Sequence, residues 1–205
     1  MPRPSNTEER RQQIVEGLMT VMATSGYGGA TIPLIAQAAG LSTGLVHYHF
    51  DTKQQILIEL IKLLGEMVDR RAQTRVAKPS AAKPSAKLIA YIDAHLAYGK
   101  GESTEAVACL IAIGAEAVNQ PEIRQAYQDA TRRQLVILEL ICEELLQSEG
   151  RSTKAKREIA LGIIAAIEGS YRLLVSAPDL IPRGFAAPTV RAMAFGLIAA
   201  QPIKK

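Results

Sequence analysis

An all-α fold is what this sequence predicts, and three observations carry the reading. Each long segment repeats apolar residues at i, i+3, i+4 and i+7, the spacing that lines one face of a helix. No segment alternates β-branched and polar residues as a half-buried strand does. Glycine and proline fall between the periodic segments, where helices stop and start. Together they mark about nine helices.

The first helix runs from Thr7 to Ser25, with Ile14, Leu18, Val21 and Met22 on one face and Gly26 as its stop. Its start, Asn6-Thr7-Glu8-Glu9, offers an N-cap and acidic groups at the positive helix end. A short helix from Ile32 to Ala39 follows, apolar at Ile32, Ile35, Ala36 and Ala39. Pro33 lies in its first turn, where a missing N–H does no harm. Gly40 can take the left-handed conformation that ends a helix, and Ser42 can cap a further short helix reaching Tyr48. Asp51 or Thr52 caps the next, Lys53 to about Arg75, with Ile56, Leu60, Leu63, Leu64 and Met67 inward.

Lys78 to Ser85, KPSAAKPS, reads as a polar linker. Helices are then expected over Ala86–Tyr98 and Thr104–Asn119, from Pro121 to Gln147 with Gly150 as the stop, and from Ser152 to Ser176. A proline- and glycine-bearing loop from Pro178 to Ala187 precedes a last helix, Pro188 to Gln201.

The stretch Thr31–Phe50, TIPLIAQAAGLSTGLVHYHF, is the most informative of the chain. Helix, glycine turn and second helix is the helix-turn-helix plan, in which the second helix enters the DNA major groove. Gly26-Tyr27, Thr31, Ile35-Ala36, Ala39-Gly40-Leu41-Ser42, Gly44, His49-Phe50, Lys53 and Ile56-Leu57 together resemble the N-terminal domain of TetR-type transcriptional regulators. The resemblance implies a DNA-binding three-helix head over residues 1–53. It implies a helical ligand-binding and dimerisation domain over residues 54–205.

On that reading, Ser42, Thr43, Gly44 and Leu45 open the reading helix. Gly44 lets backbone approach DNA, Thr43 can meet a base edge, phosphate or thymine methyl, and Leu45 can touch a thymine methyl or pack inward. The helix holds no Arg, Asn or Gln for a bidentate base contact, so shape readout carries weight. Thr31, which stands at a helix cap, with His47, Tyr48, His49 and Lys53, are the phosphate candidates. Family members usually carry tyrosine where this chain has His47. His49 can equally bond backbone at the start of the following helix.

The resemblance also implies a small-molecule site among the middle helices. Met67, His95, Tyr98, Cys109, Glu116, Tyr127, Glu168, Tyr171 and Arg172 are polar, soft or aromatic residues set in apolar helical runs, and they are the candidate wall. Glu168 and Arg172, at i and i+4, can instead form an ion pair. A mostly aliphatic site with few polar groups suits an apolar or amphipathic ligand. The helix from Ile159 to Val175 is apolar on more than one face, and the last helix places Val190, Met193, Ala194, Leu197 and Ile198 together. Both must be covered on two sides, which points to a homodimer.

The chain has 205 residues, 48% of them hydrophobic and 21% charged, enough for a real core. Its net charge of +4 suits an anionic partner such as double-stranded DNA, but Arg70, Arg71, Arg75, Lys78 and Lys83 lie outside the motif. The start is polar, unlike a signal peptide, and the longest apolar run, Ile159–Ile167, is too short to span a bilayer, so a cytoplasmic protein without membrane contact is expected. Cys109 and Cys142 read as buried thiols, and His47, His49 and His95 form no metal pattern. No nucleophile elbow, phosphate loop or dinucleotide fingerprint is present, so neither an enzyme nor a bound cofactor is expected. A ligand-responsive repressor on a palindromic operator is the leading reading. A DNA-binding architectural or activator protein without an inducer is the alternative.

Overall fold

The computed structural model describes residues 6–76, 83–96 and 104–204. Nine α-helices occur among them: α1 Asn6–Gly29, α2 Ile32–Ala39, α3 Thr43–His49, α4 Lys53–Val76, α5 Pro84–Leu96, α6 Thr104–Asn119, α7 Pro121–Ser148, α8 Lys156–Ser176 and α9 Ala186–Ala199. A short 3-10 turn, Pro178–Leu180, precedes α9. The expected linker at 78–85 lies largely outside the described residues, as does Tyr98 at the expected end of α5.

Packing divides the chain into two compact units. The first holds residues up to 65 together with 103–130, and the second holds 66–102 and 131–205. This differs from a division at residue 53, and the reason lies in the first unit's core. Ile14, Leu18 and Met22 of α1 and Ile35 and Ala36 of α2 share one buried cluster with Ile56, Leu57 and Leu60 of α4. Cys109, Ile113 and Ala117 of α6 and Ile123 of α7 complete the same cluster, so α6 is part of the support on which the head is built.

Helix boundaries follow local chemistry. Gly26 breaks α1 at φ 65°, and a further helical turn reaches Gly29, so the stop read at Gly26 is a kink. Thr52 Oγ1 accepts from Gln55 N at 3.2 Å, while Gln55 Oε1 accepts from Asp51 N at 2.9 Å. Thr52 is therefore the cap of α4, and the Gln55 side chain reaches back to the residue before it, Asp51.

The start of α8 is a correction to the sequence reading. Ser152 does not open it, because its N–H donates to Pro202 O at 2.8 Å while Arg151 bridges to Ile203. Arg151 Nη1 also donates to Ala199 O and Gln201 O at 2.7 and 2.8 Å. The turn after α7 is thus tied to the chain end, and helix begins only at Lys156. The last helix starts two residues before the expected Pro188, which sits in its first turn without cost.

In the second unit, α8 packs on α9 and α5 on both. Ile159, Ile163 and Ile167 of α8 and Val190, Ala194 and Ile198 of α9 are buried. Asp93 of α5 accepts from Arg191 Nε of α9 at 2.7 Å, with Nη2 on the same oxygen. By length and composition, α8, with a mean hydropathy of 1.5, could cross a membrane. Its isoleucines are instead built into this unit's core.

Both cysteines are buried free thiols, one in each unit. Desolvation pushes each up to about 12, helped by Glu105 at Cys109 and Glu139 at Cys142, so both stay protonated near neutral pH.

Candidate functional site

The turn between α2 and α3 sets out one exposed face. Gly40 takes φ 67°, ψ 31°, the left-handed conformation that closes α2, and its N–H bonds Gln37 O. Ser42 Oγ then accepts from Leu45 N at 3.2 Å and fixes the start of α3. Val46 and Phe50 are buried, Leu45 and His49 are half-buried, and Ser42, Thr43, Gly44, His47 and Tyr48 are exposed. Tyr48 is 79% exposed, an unusual state for an aromatic side chain with no core to fill. Its ring meets His49 edge-on at 5.1 Å.

Thr31 occupies the cap position of α2, but its side chain makes no capping bond. Pro33 follows at the second helical residue and has no N–H to offer, which removes one of the donors a cap would take. The Thr31 side chain is left exposed at the start of α2.

Lys53 is half-buried, and its Nζ donates to Tyr27 O at 2.8 Å while lying 4.1 Å from the Tyr27 ring centroid. Desolvation lowers its pKa, against the pull of Glu116. The same surroundings raise the Tyr27 hydroxyl, again chiefly by burial. Lys53 thus ties the start of α4 to the end of α1.

Arg11, which no sequence pattern singled out, holds the other end of α3. Its Nη1 donates to His49 O at 2.7 Å, its guanidinium lies 4.1 Å over the Phe50 ring, and Nη2 is 3.7 Å from Glu59. The only signal available was its place one turn before Ile14 on the first helix. Gly17 was also passed over. A Cβ there would stand 2.8 Å from Ile35 O, so glycine sets how closely α1 and α2 approach. With Arg11 and Lys53 both turned to such work, and no lysine or arginine in α2 or α3, the exposed face is polar but carries little formal charge.

The candidate ligand residues do not fall together. Cys109, Glu116 and Tyr127 belong to the first unit. There Cys109 Sγ donates to Met19 O at 3.4 Å, Glu116 accepts from Gln120 at 2.6 Å, and Tyr127 packs on the core. Met67, Glu168 and Arg172 of the second unit are exposed on α4 and α8. Tyr98 lies outside the described residues.

Among the described candidates, only His95 and Tyr171 are brought together in an interior, where the Tyr171 hydroxyl donates to His95 O at 3.2 Å. Beside them lies Tyr91, 2% exposed, whose ring centroid is 4.5 Å from that of His95. Tyr91 was not among the candidates, although a tyrosine and a histidine four residues apart in the stripe of Leu88 and Ile92 was a signal in plain view.

The comparisons with known proteins agree with this geometry. The profile of bacterial regulatory proteins of the tetR family matches residues 14–60, and that of the BetI-type transcriptional repressor C-terminal region matches residues 84–199. The chain belongs to the TetR family. It is a DNA-binding transcriptional regulator and not an enzyme, with the helix-turn-helix at Ile32–His49. The HTH-type transcriptional regulator BetI of Rhizobium meliloti (strain 1021) is 31% identical over 185 residues, covering 87% of this TetR-family chain and 85% of the relative.

Two solved structures show the same fold. A transcriptional regulator from Rhodococcus sp. Rha1 has a TM-score of 0.80 at 18% identity, covering 95% of this chain and 99% of its own. One from Saccharomonospora viridis, solved in complex with choline, has a TM-score of 0.77 at 21% identity, covering 96% and 99%.

Proposed function

We propose that this chain is a ligand-responsive repressor that binds a palindromic operator in double-stranded DNA as a homodimer in the cytoplasm. The observation that carries the reading is the exposed polar face of α3, held by the Ser42 cap and the Arg11 clamp while Val46 and Phe50 anchor it. Thr43, Gly44 and Leu45 lie at the end of α3 that meets base edges, and Thr31, His47, Tyr48 and His49 flank them for phosphates. Lys53 adds to this set chiefly by fixing α4. The head is residues 1–53, and the remainder responds to a small apolar or amphipathic effector; the structural neighbour from Saccharomonospora viridis was solved with a small molecule, choline, bound. An effector must bind the non-DNA state more tightly, with a coupling of about 1–3 kcal/mol.

Selection of bound sequences from a random DNA pool tests the reading, and palindromic sites are expected. Thr43→Ala should change which bases are preferred. Thr31→Val should weaken all sites alike, by roughly fivefold for one lost phosphate bond. If both variants leave the preferred sequence and the affinity as they were, α3 is not the reading helix.

The dimer face is argued from what the second unit leaves uncovered. Leu161, Ala165, Gly169 and Leu173 form one exposed stripe along α8, and Met193, Gly196 and Leu197 another along α9. Leu161 and Leu173 are each 44% exposed and Met193 is 53% exposed. Ala194, which the sequence placed on the same face, is buried between the helices and is not part of it. A Cβ at Gly169 meets nothing within 4 Å, so Gly169→Arg should leave the protomer folded and yield monomers by sedimentation. A dimeric Gly169→Arg variant would remove this face from consideration.

A further inference from the structure

Two polar atoms in the second unit are buried without a hydrogen-bond partner among the described residues: the Tyr91 hydroxyl and His95 Nε2. Their residues are 2% and 3% exposed and lie one turn apart on α5 with their rings against each other. Each such atom ordinarily destabilises a fold by about 1–3 kcal/mol, so two on touching rings call for a partner that the described residues do not supply.

The geometry also fixes which partner fits. His95 Nδ1 is 2.9 Å from Tyr91 O. A carbonyl oxygen only accepts, so Nδ1 carries the proton. Burial keeps the ring neutral, and Nε2 is then a bare acceptor. A hydroxyl such as that of Tyr91 can donate or accept. The site therefore asks for a group that donates to Nε2 and can accept from a phenol.

A carboxylate fails this test. It has no proton to give to Nε2, and it meets the Asp69 charge that acts on the Tyr91 hydroxyl. Arg71 and Arg133 bring positive charge to the neighbourhood of His95 and Asp69, so net charge alone does not choose the ligand, whereas hydrogen-bond polarity does.

We propose that Tyr91 and His95 form the polar end of an effector site that selects a small alcohol and rejects the matching carboxylate. The hydroxyl donates to His95 Nε2 and accepts from Tyr91, with the aliphatic residues of α5 and its neighbours taking the rest. This inference rests on the ligand-responsive reading above and names the chemistry of its ligand.

The test uses the full-length protein and its selected operator. Alcohols from propanol to octanol are titrated against the carboxylates from propionate to octanoate, with choline and glycine betaine as the cationic pair. Binding is read by calorimetry and by release of the operator. At least one alcohol, neutral or cationic, should bind and release DNA, with its carboxylate partner at least about tenfold weaker, a difference of one unpaired buried group. The neutral and cationic arms identify which kind of alcohol it is.

Tyr91→Phe removes a single oxygen. It should weaken the alcohol by about fivefold to tenfold, leave effector-free operator affinity unchanged, and unfold at the same or higher temperature. A Tyr91→Phe protein that keeps wild-type alcohol binding would show that the two atoms are satisfied by water only, and would overturn the proposal. So would carboxylates binding as well as alcohols, or no alcohol binding at all. In that last case, release of the operator by a small-molecule extract would leave the ligand-responsive reading standing, and no release would end both.

Discussion

Gly17→Ala should destabilise the first unit by about 2 kcal/mol and abolish operator binding. The added Cβ would lie 2.8 Å from Ile35 O and 3.1 Å from Ala39 Cβ, and neither can yield without moving α2. Ile35 is fully buried and Ala36 nearly so, hence the cost falls on packed helix backbone and not on a flexible side chain. Moving α2 also moves the Gly40 turn and with it α3, so loss of DNA binding should exceed what the lost stability explains. Gly114→Ala in α6 is the matched control. Nothing lies within 4 Å of its added Cβ, and alanine in a helix should raise stability by about 0.5–1 kcal/mol. Urea unfolding of the two variants, followed by operator titration below the unfolding midpoint, checks the pair. Equal stability for both would mean that α1 and α2 are not in such close approach.

Acidification from pH 7 to pH 4 should cost the second unit roughly 3 kcal/mol through His95. Burial lowers its pKa from 6.5 to about 4, opposed by its bond to Tyr91 O and assisted by Arg71. The sign follows from proton counts. Above 6.5 the imidazole is neutral in both the folded and unfolded chain, and it contributes no pH dependence. Between 6.5 and 4 the unfolded chain takes up a proton that the folded one refuses, so stability falls as pH falls, and the loss is complete near 4. Asp69 acts in the other direction, because burial raises its carboxyl and the folded state then binds its proton first.

His95→Phe separates the two, since it keeps a ring in place and removes the titration. Unfolding free energies of wild type and His95→Phe, measured at pH 7, 6, 5 and 4 and subtracted, should drift in favour of the variant as pH drops. Parallel profiles would show that His95 is reached by solvent and titrates freely.

Much of the first unit was legible because its signals are local. A glycine that turns left at Gly40, a serine that caps at Ser42 and a proline tolerated at Pro33 act within a few residues of themselves, and each acts as read. Phosphate roles were harder to assign. A lysine at a helix start near DNA looks free in sequence, yet Lys53 meets the carbonyl of Tyr27, 26 residues away. Thr31 looks like a cap, yet its side chain makes no capping bond, and Pro33 removes one of the two donors it would take.

The ligand candidates show the limit most clearly. Nine polar or aromatic residues in apolar helices were gathered as one wall, because sequence periodicity reports that a residue faces inward but not which interior it faces. Cys109, Glu116 and Tyr127 face the first unit, and His95 and Tyr171 face the second.

By itself, the sequence determined that the chain is helical, where most helices begin and end, that α3 presents a polar face, and which family motif it carries. These depend on spacing, capping and backbone freedom, whose physical range is one or two helical turns. Tertiary structure alone decided that α6 belongs to the unit that bears the reading head, and that Gly17 sets the approach of α1 to α2. It also decided that Arg11 clamps α3, that Ala194 lies inside while Met193 lies outside, and that the Tyr91 hydroxyl and His95 Nε2 are buried with no hydrogen-bond partner among the described residues. Each of those depends on which surfaces meet across tens of residues, and on whether a buried polar atom finds its complement there.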